Sequence, residues 1–134
     1  MPHETMPEHP TAEIVLPAAG EYLSVVRSTA AALAANADFI IDDIEDLRIA
    51  VDEACSILVS RAIPGTDLAC RFFVYDASVT IETSAHVLDH RPPPPSGFAW
   101  MVLESLSTAV EAVVREPDLL VVTITRTGSK TKAG

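Results

Sequence analysis

The sequence predicts an α+β fold, a two-layer sandwich in which helices cover one face of a single mixed or antiparallel sheet. Two observations predict it: helix-like and strand-like apolar patterns follow one another in the order β, α, α, β, β, α, β, and 49% of the residues are hydrophobic against 21% charged. A chain of 134 residues typically forms one core. We therefore expect one domain over residues 12–128, between a flexible arm at 1–11 and a flexible tail at 129–134.

The first strand and the first helix are predicted from the spacing of apolar residues. Residues 12–16 alternate between apolar and polar and stop at Pro17. From Gly20 onward apolar residues recur every three or four positions, the period of an amphipathic helix. The residues on this stripe are Tyr22 or Leu23, Val26, Ala30, Leu33 and Ala37.

A second helix is predicted over residues 41–63. Asp42 or Asp43 can cap its first turn, and Pro64-Gly65 ends it. The apolar stripe consists of Ile44, Leu47, Val51, Ala54, Cys55, Leu58 and Ala62.

The remaining chain predicts a hairpin, a third helix and a last strand. Residues 68–76 and 78–87 are rich in aromatic and β-branched residues, which is typical of paired strands. After the proline-rich loop at 89–97, helical spacing predicts a helix to residue 114, and 119–127 predicts a strand that pairs with the hairpin. The expected buried face of this helix is Phe98, Met101, Val102, Leu106, Val110 and Val113.

Charge and hydropathy exclude several functional classes. A net charge of −10 opposes binding to nucleic acid and favours a basic protein surface as partner. No apolar stretch approaches the roughly 20 residues of a membrane span, and the N-terminus lacks the basic and apolar pattern of a secretory signal, so we expect a cytoplasmic protein with no membrane partner. Cys55 and Cys70 lack CxxC spacing and are predicted to be buried thiols.

The run LRIAVDEACSILV (47–59) sets two acids, Asp52 and Glu53, among apolar residues. Glu53 could act as a catalytic base or serve as a hydrogen-bonded structural carboxylate, and Asp52 is predicted to be a solvated acid on the outer face. Another cluster, at His86, Asp89 and His90, has metal-ligating side chains but no fourth ligand, so no metal site is predicted.

Two motifs carry a resemblance to a known family. DLRIAVDEAC and PSGFAWMVLESL, in this order and on these elements, resemble the anti-sigma factor branch of the GHKL (histidine kinase-like ATPase) family, the serine protein kinases of the RsbW, SpoIIAB and UsfX type, over about residues 12–127. The resemblance implies a helix on which a Glu acts as general base and an Asn four residues later binds magnesium. Glu53 matches the Glu, but Ile57 replaces the Asn and has no oxygen for a hard cation.

The family's nucleotide motifs are altered at two further places. Its Asp-x-Gly-x-Gly corresponds to residues 83–87, with Thr83 at the Asp position and no glycine. Of the glycine-rich lid only Ser96 and Gly97 remain, after four prolines, and the aromatic residues of 98–100 are expected to fill the space of a ligand. Thr83, Ser96 and Gly97 are thus interpreted as a remnant nucleotide site. No cofactor is expected, and ATP with magnesium would be bound only if the altered site still accepts it.

The same resemblance implies partners. Family members bind a sigma factor and a STAS-fold anti-anti-sigma factor in competition, form homodimers through the sheet or the first helix, and carry an arginine where Arg27 stands in SVVRSTAAALA. An ordinary solvated arginine remains the alternative for Arg27. The predicted function is an anti-sigma factor that sequesters a stress-type sigma factor without kinase activity. The alternatives are an active serine protein kinase that phosphorylates its STAS antagonist and a binding module unrelated to transcription.

Overall fold

A computed structural model describes residues 9–129 and contains, within this range, five strands, three α-helices and one short 3-10 helix. In chain order they are β1 (Ala12–Pro17), the 3-10 helix (Gly20–Tyr22), α1 (Leu23–Asn36), α2 (Ile41–Arg61), β2 (Asp67–Val74), β3 (Ser78–His86), α3 (Phe98–Leu106), β4 (Ala109–Arg115) and β5 (Leu119–Thr127). Most of the arm and tail predicted at the termini lies outside the described residues. None of the described helices is both long and apolar enough to cross a membrane.

All five strands pair antiparallel in the order β1-β2-β3-β5-β4. One row across the sheet joins Ile14, Cys70, Thr83, Val122 and Ala112, and it illustrates the alternation by which every second side chain points toward the helices. The predicted first strand, the hairpin and the pairing of the last strand with that hairpin are confirmed.

The three helices cover one face of this sheet, as a two-layer α+β sandwich of the GHKL type requires. α2 lies centrally, and its fully buried residues Leu47, Val51 and Leu58 join the inward side chains of the strands in one core. α2 ends at Arg61, two residues before the predicted end, and Pro64-Gly65 forms the turn that follows. Gly65 has φ +85° in this turn, a conformation that favours glycine. Cys55 and Cys70 are both buried free thiols, which confirms their prediction.

The predicted third helix is wrong beyond residue 106. α3 ends at Leu106, and residues 109–115 form the edge strand β4 paired with β5. Its inward stripe is also different: Leu103 is buried with Trp100 and Leu106 packed beside it, whereas Phe98 and Met101 are 80% and 55% exposed. The valines of 110–114 extend the helical spacing by chance, but they are β-branched and alternate in exposure as strand residues do.

The predicted cap of α2 is wrong as well. The N-cap residue is Ile40, which has no side chain able to cap, and neither Asp42 nor Asp43 caps the helix. Asp43 is instead buried and accepts hydrogen bonds from Arg126 and Ser129 at the end of β5. The Asp43 carboxylate therefore bonds to a residue 83 positions away in sequence instead of capping its own helix.

Candidate functional site

An ion pair joins the two helices that carry the predicted partner-binding residue and the LRIAVDEACSILV motif. Arg27 on α1 donates from Nη1 to Oδ1 of Asp52 on α2 at 2.6 Å. The prediction that Asp52 is simply a solvated acid is therefore wrong. Both side chains keep about a third of their surface exposed, at 35% and 37%, so a partner can still reach the guanidinium.

Beside this pair lies a shallow cavity of about 340 Å³, which we call the α1–α2 cavity; it is lined by Arg27, Arg48, Ile49 and Asp52. Arg48 donates to Glu45 one turn earlier at 3.3 Å, across an exposed surface. Ile49 is 44% exposed between the two arginines. The cavity thus presents an apolar side chain flanked by guanidinium groups. A carboxylate could pair with the guanidinium groups while a neighbouring apolar side chain packs on Ile49.

Glu53 occupies the next position on α2 and has a different environment. Its side chain is half-buried, and within residues 9–129 it makes no hydrogen bond or ion pair. The hydrogen-bonded structural role considered for this residue has no partner in the described part of the chain. Ile57, four residues later, packs against the core and offers no oxygen to magnesium.

Thr83 lies in the middle of the sheet. It is fully buried on β3, and its hydroxyl donates to the carbonyl oxygen of Val122 at 2.7 Å. Of residues 83–87, which the resemblance aligns with the family's glycine motif, 83–86 are regular strand. The hydroxyl is therefore used inside the sheet, and an adenine amino group has no Asp carboxylate to meet here.

Ser96 and Gly97 form the turn into α3. Gly97 is the N-cap residue, its N–H donates to the carbonyl of Pro94 at 3.0 Å, and its φ of −72° does not require glycine. The prediction that aromatic residues fill a ligand's space is wrong for Phe98, which faces solvent; Trp100 is half-buried and donates to Glu104 at 3.2 Å. Within residues 9–129 no hydrogen bond links Glu53, Thr83, Ser96 and Gly97 to one another.

The chain is similar to proteins named for two activities. It is 33% identical over 101 residues to the anti-sigma-F factor RsbW of Mycobacterium tuberculosis, and this match covers 74% of the chain and 60% of that protein. It is 38% identical over 74 residues to the serine-protein kinase RsbW of Bacillus pumilus, covering 52% and 46% of the two chains. Over 74% of its length the chain is therefore similar to the RsbW family. A third relative, the serine-protein kinase RsbW of Bacillus cereus, is 44% identical over 50 residues, 37% of this chain and 31% of that protein.

The matched relatives are longer than this chain, which spans about half of the length of each of the first two, 46% and 60%. No family model matches the chain. The anti-sigma and kinase activities for which the relatives are named therefore belong to those relatives.

The histidine cluster is arranged differently from a metal site. Nδ1 of His86 lies 2.6 Å from Oδ1 of Asp118, in the turn before β5, while Asp89 accepts hydrogen bonds from Arg91, which lower the pKa of that carboxyl. Within residues 9–129 no group of three or more His, Cys, Asp and Glu side chains could hold a metal ion. Nothing in the sequence indicated that Asp118 would contact His86, because the two residues are 32 positions apart and only the pairing of β3 with β5 brings them together.

The outer face of the sheet, opposite the helices, carries another polar cluster that the sequence did not reveal. Glu82 on β3 lies 3.2 Å from Arg71 on the neighbouring strand β2 and 3.7 Å from Arg115 on β4, which is two strands away. Arg71 stacks over Phe73 at 5.4 Å. A cavity of about 540 Å³ opens beside this cluster. The register that aligns these side chains follows from strand pairing and not from local sequence.

Proposed function

We propose that the chain is an anti-sigma factor that sequesters an alternative, stress-type sigma factor by stoichiometric binding, and that a STAS-type anti-anti-sigma factor releases it. The observation that carries this proposal is the 33% identity to a protein named anti-sigma-F factor over 74% of the chain. The sigma factor is held away from core polymerase for as long as the complex lasts.

The α1–α2 cavity supports this proposal. In a chain with a net charge of −10, Arg27 and Arg48 place two guanidinium groups around an exposed isoleucine. A partner helix with a carboxylate next to an apolar residue would satisfy both features, while the acidic remainder of the surface attracts basic segments of the same partner. Arg27 is the proposed anchor, and a homodimer through the outer sheet face or α1 is the proposed assembly.

Binding without phosphoryl transfer is supported by the residues at the nucleotide positions. Ile57 supplies no oxygen to magnesium, the Thr83 hydroxyl is buried and bonded to Val122, and the Gly97 N–H is bonded to Pro94. These residues do not fit ATP with magnesium in the manner of the family.

An active serine protein kinase is the second candidate, and one observation favours it. The Glu53 carboxylate has no partner within residues 9–129, so it could accept a proton from a serine hydroxyl. The relatives from Bacillus pumilus and Bacillus cereus are also named serine-protein kinases.

Arg27→Ala tests the binding site. Calorimetry of the purified chain with each sigma factor of its own host should find one tight partner, and the variant should bind that partner about 1–4 kcal/mol more weakly, as loss of an interface arginine does. Arg91→Ala is the matched control, because Arg91 is a highly exposed arginine on the loop before α3. Equal affinity of Arg27→Ala and wild type would remove Arg27 from the interface, and failure to bind any sigma factor would favour a binding module unrelated to transcription.

Phosphate transfer separates the two candidates. The wild type and Glu53→Gln are incubated with magnesium, ATP and the STAS antagonist, and phosphoserine on the antagonist is measured by mass spectrometry. We expect no phosphoserine with either protein. Phosphoserine that appears with the wild type and is lost in Glu53→Gln would establish the kinase.

A further inference from the structure

Two thiols face each other across the interface between α2 and the sheet. Cys55 on α2 and Cys70 on β2 are both fully buried, and their Sγ atoms lie 3.9 Å apart. A disulfide needs a separation of about 2 Å. The two sulfur atoms therefore have to approach each other by about 2 Å, a distance that side-chain rotation and a small shift of α2 can share.

Within residues 9–129, each of these thiols has the other as its one hydrogen-bond partner. Cys70 is paired across the sheet with Ile14 and with Thr83, whose hydroxyl is already bonded to Val122. The hydrogen bond with Cys70, together with burial, raises the pKa of the Cys55 thiol well above its ordinary range. Thiolate is the reactive form, so the closed core protects the reduced pair and reaction requires α2 to open locally from β2.

We propose that Cys55 and Cys70 form a reversible intramolecular disulfide on exposure to hydrogen peroxide, so that oxidation joins α2 covalently to β2. One thiolate attacks the peroxide O–O bond and becomes a sulfenic acid, and the released hydroxide takes the thiol proton to form water. The second thiol then attacks the sulfenic sulfur, the S–S bond forms and a second water leaves. Two thiols are oxidised, and one peroxide is reduced to two waters.

The cross-link would act on the helix that carries the α1–α2 cavity. Asp52, which holds Arg27, precedes Cys55 by one turn of α2, so restraint at Cys55 limits the motion of the ion pair. The closed loop contains the end of α2 and the turn at 62–66. The proposal depends on the thiol geometry alone and holds whichever partner the chain binds.

Tryptic digestion gives a direct test. Cleavage after Arg48, Arg61 and Arg71 places the two cysteines in separate peptides, 49–61 and 62–71. After treatment of the folded protein with hydrogen peroxide, we expect these two peptides to be recovered joined, the intact chain to have lost two hydrogen atoms, and dithiothreitol to reverse both changes. The oxidised protein should melt about 5–10 °C higher, because a closed loop of this length constrains the unfolded chain.

Cys70→Ala is the control, since it keeps Cys55 and removes its partner; we expect neither cross-link nor the rise in melting temperature. If this variant does not fold, reversal of the wild-type shift by dithiothreitol serves in its place. Free thiols at both positions after peroxide, sulfinic or sulfonic acid without a cross-link, a bond between two chains, or a cross-link that forms only in the unfolded protein would each overturn the proposal.

Discussion

Two carboxylates on α2, those of Asp43 and Glu53, have opposite environments. In the first turn, Asp43 is only 2% exposed and its carboxylate accepts hydrogen bonds from Nη2 of Arg126 at 2.7 Å and from the backbone N–H of Ser129 at 2.6 Å. In the middle of the helix, Glu53 is half-buried and makes no such bond within residues 9–129. One carboxylate is fixed by the fold, and the other is available to a ligand or partner.

The difference shows that burial alone does not identify a functional acid. Burial raises the pKa of Asp43, but hydrogen bonds from Ser129 and Arg126 and the Arg126 charge outweigh it, so the pKa lies below its ordinary value. Such a fully satisfied carboxylate stays ionised and belongs to the structure. Asp52 is intermediate, because its one partner within residues 9–129 is Arg27, which is partly exposed.

The largest effect is expected from Asp43→Asn. The substitution removes the charge that Arg126 and the Ser129 N–H share, and it leaves the half-buried Arg126 with Asp46, 3.1 Å away, as its remaining counter-charge. We expect the free energy of unfolding to fall by about 2 kcal/mol, measured by urea denaturation. Asp42→Asn is the matched control, since Asp42 is exposed, and it should change stability by less than about 0.5 kcal/mol. Equal losses of stability in the two variants would show that Asp43 contributes no more to the fold than the exposed Asp42.

The stability of the protein at acid pH should also depend on the Asp43 carboxylate. Because the pKa of Asp43 is lowered in the folded state, its contribution is complete above the unfolded pKa of about 4 and is lost as pH falls through the folded pKa. The melting temperature of the wild type should therefore fall more steeply below about pH 4 than that of Asp43→Asn. Parallel curves for the two proteins would contradict the assignment.

A smaller effect is expected from the Arg27–Asp52 pair. A double-mutant cycle with Arg27→Ala and Asp52→Ala should give a coupling of about 0.2–1 kcal/mol, because both side chains are partly exposed and screened. The cycle is measured by urea denaturation at low and at high salt. A coupling above that range and insensitive to salt would place this pair with Asp43 as a structural interaction.

Glu53→Gln should have the smallest effect on stability, within about 0.5 kcal/mol, since the side chain has no described partner to lose. Thermal melting checks this. A loss comparable to that of Asp43→Asn would indicate that Glu53 supports the fold.

Elements defined by local pattern were predicted from the sequence, and those defined by distant contacts were not. α2 and strands β2, β3 and β5 follow from their apolar periodicity and composition. The edge strand β4 was missed because its valines also fit a helical stripe, and only pairing with β5 decides between the two. Loss of the nucleotide motifs, which Ile57 indicates at the position of the magnesium ligand, stays a prediction.

The candidate site was predicted only as far as single residues. Arg27 was identified by its position in the resemblance, but its partner Asp52 lies 25 residues away and was taken for a solvated acid. Asp43 was expected to cap α2, because a local cap is the common use of an Asp in that place. Packing of distant segments decided both cases.

The hydrogen bonds from Ser129 to Asp43 also affect when the first turn of α2 can pack during synthesis of the chain. A chain made from its N-terminus presents α2 long before residue 129, and 86 residues separate the two partners. Until then the Asp43 carboxylate lacks these bonds, so burying it with the first turn of α2 carries a desolvation cost. The start of this helix can gain these bonds only after residue 129 has left the ribosome.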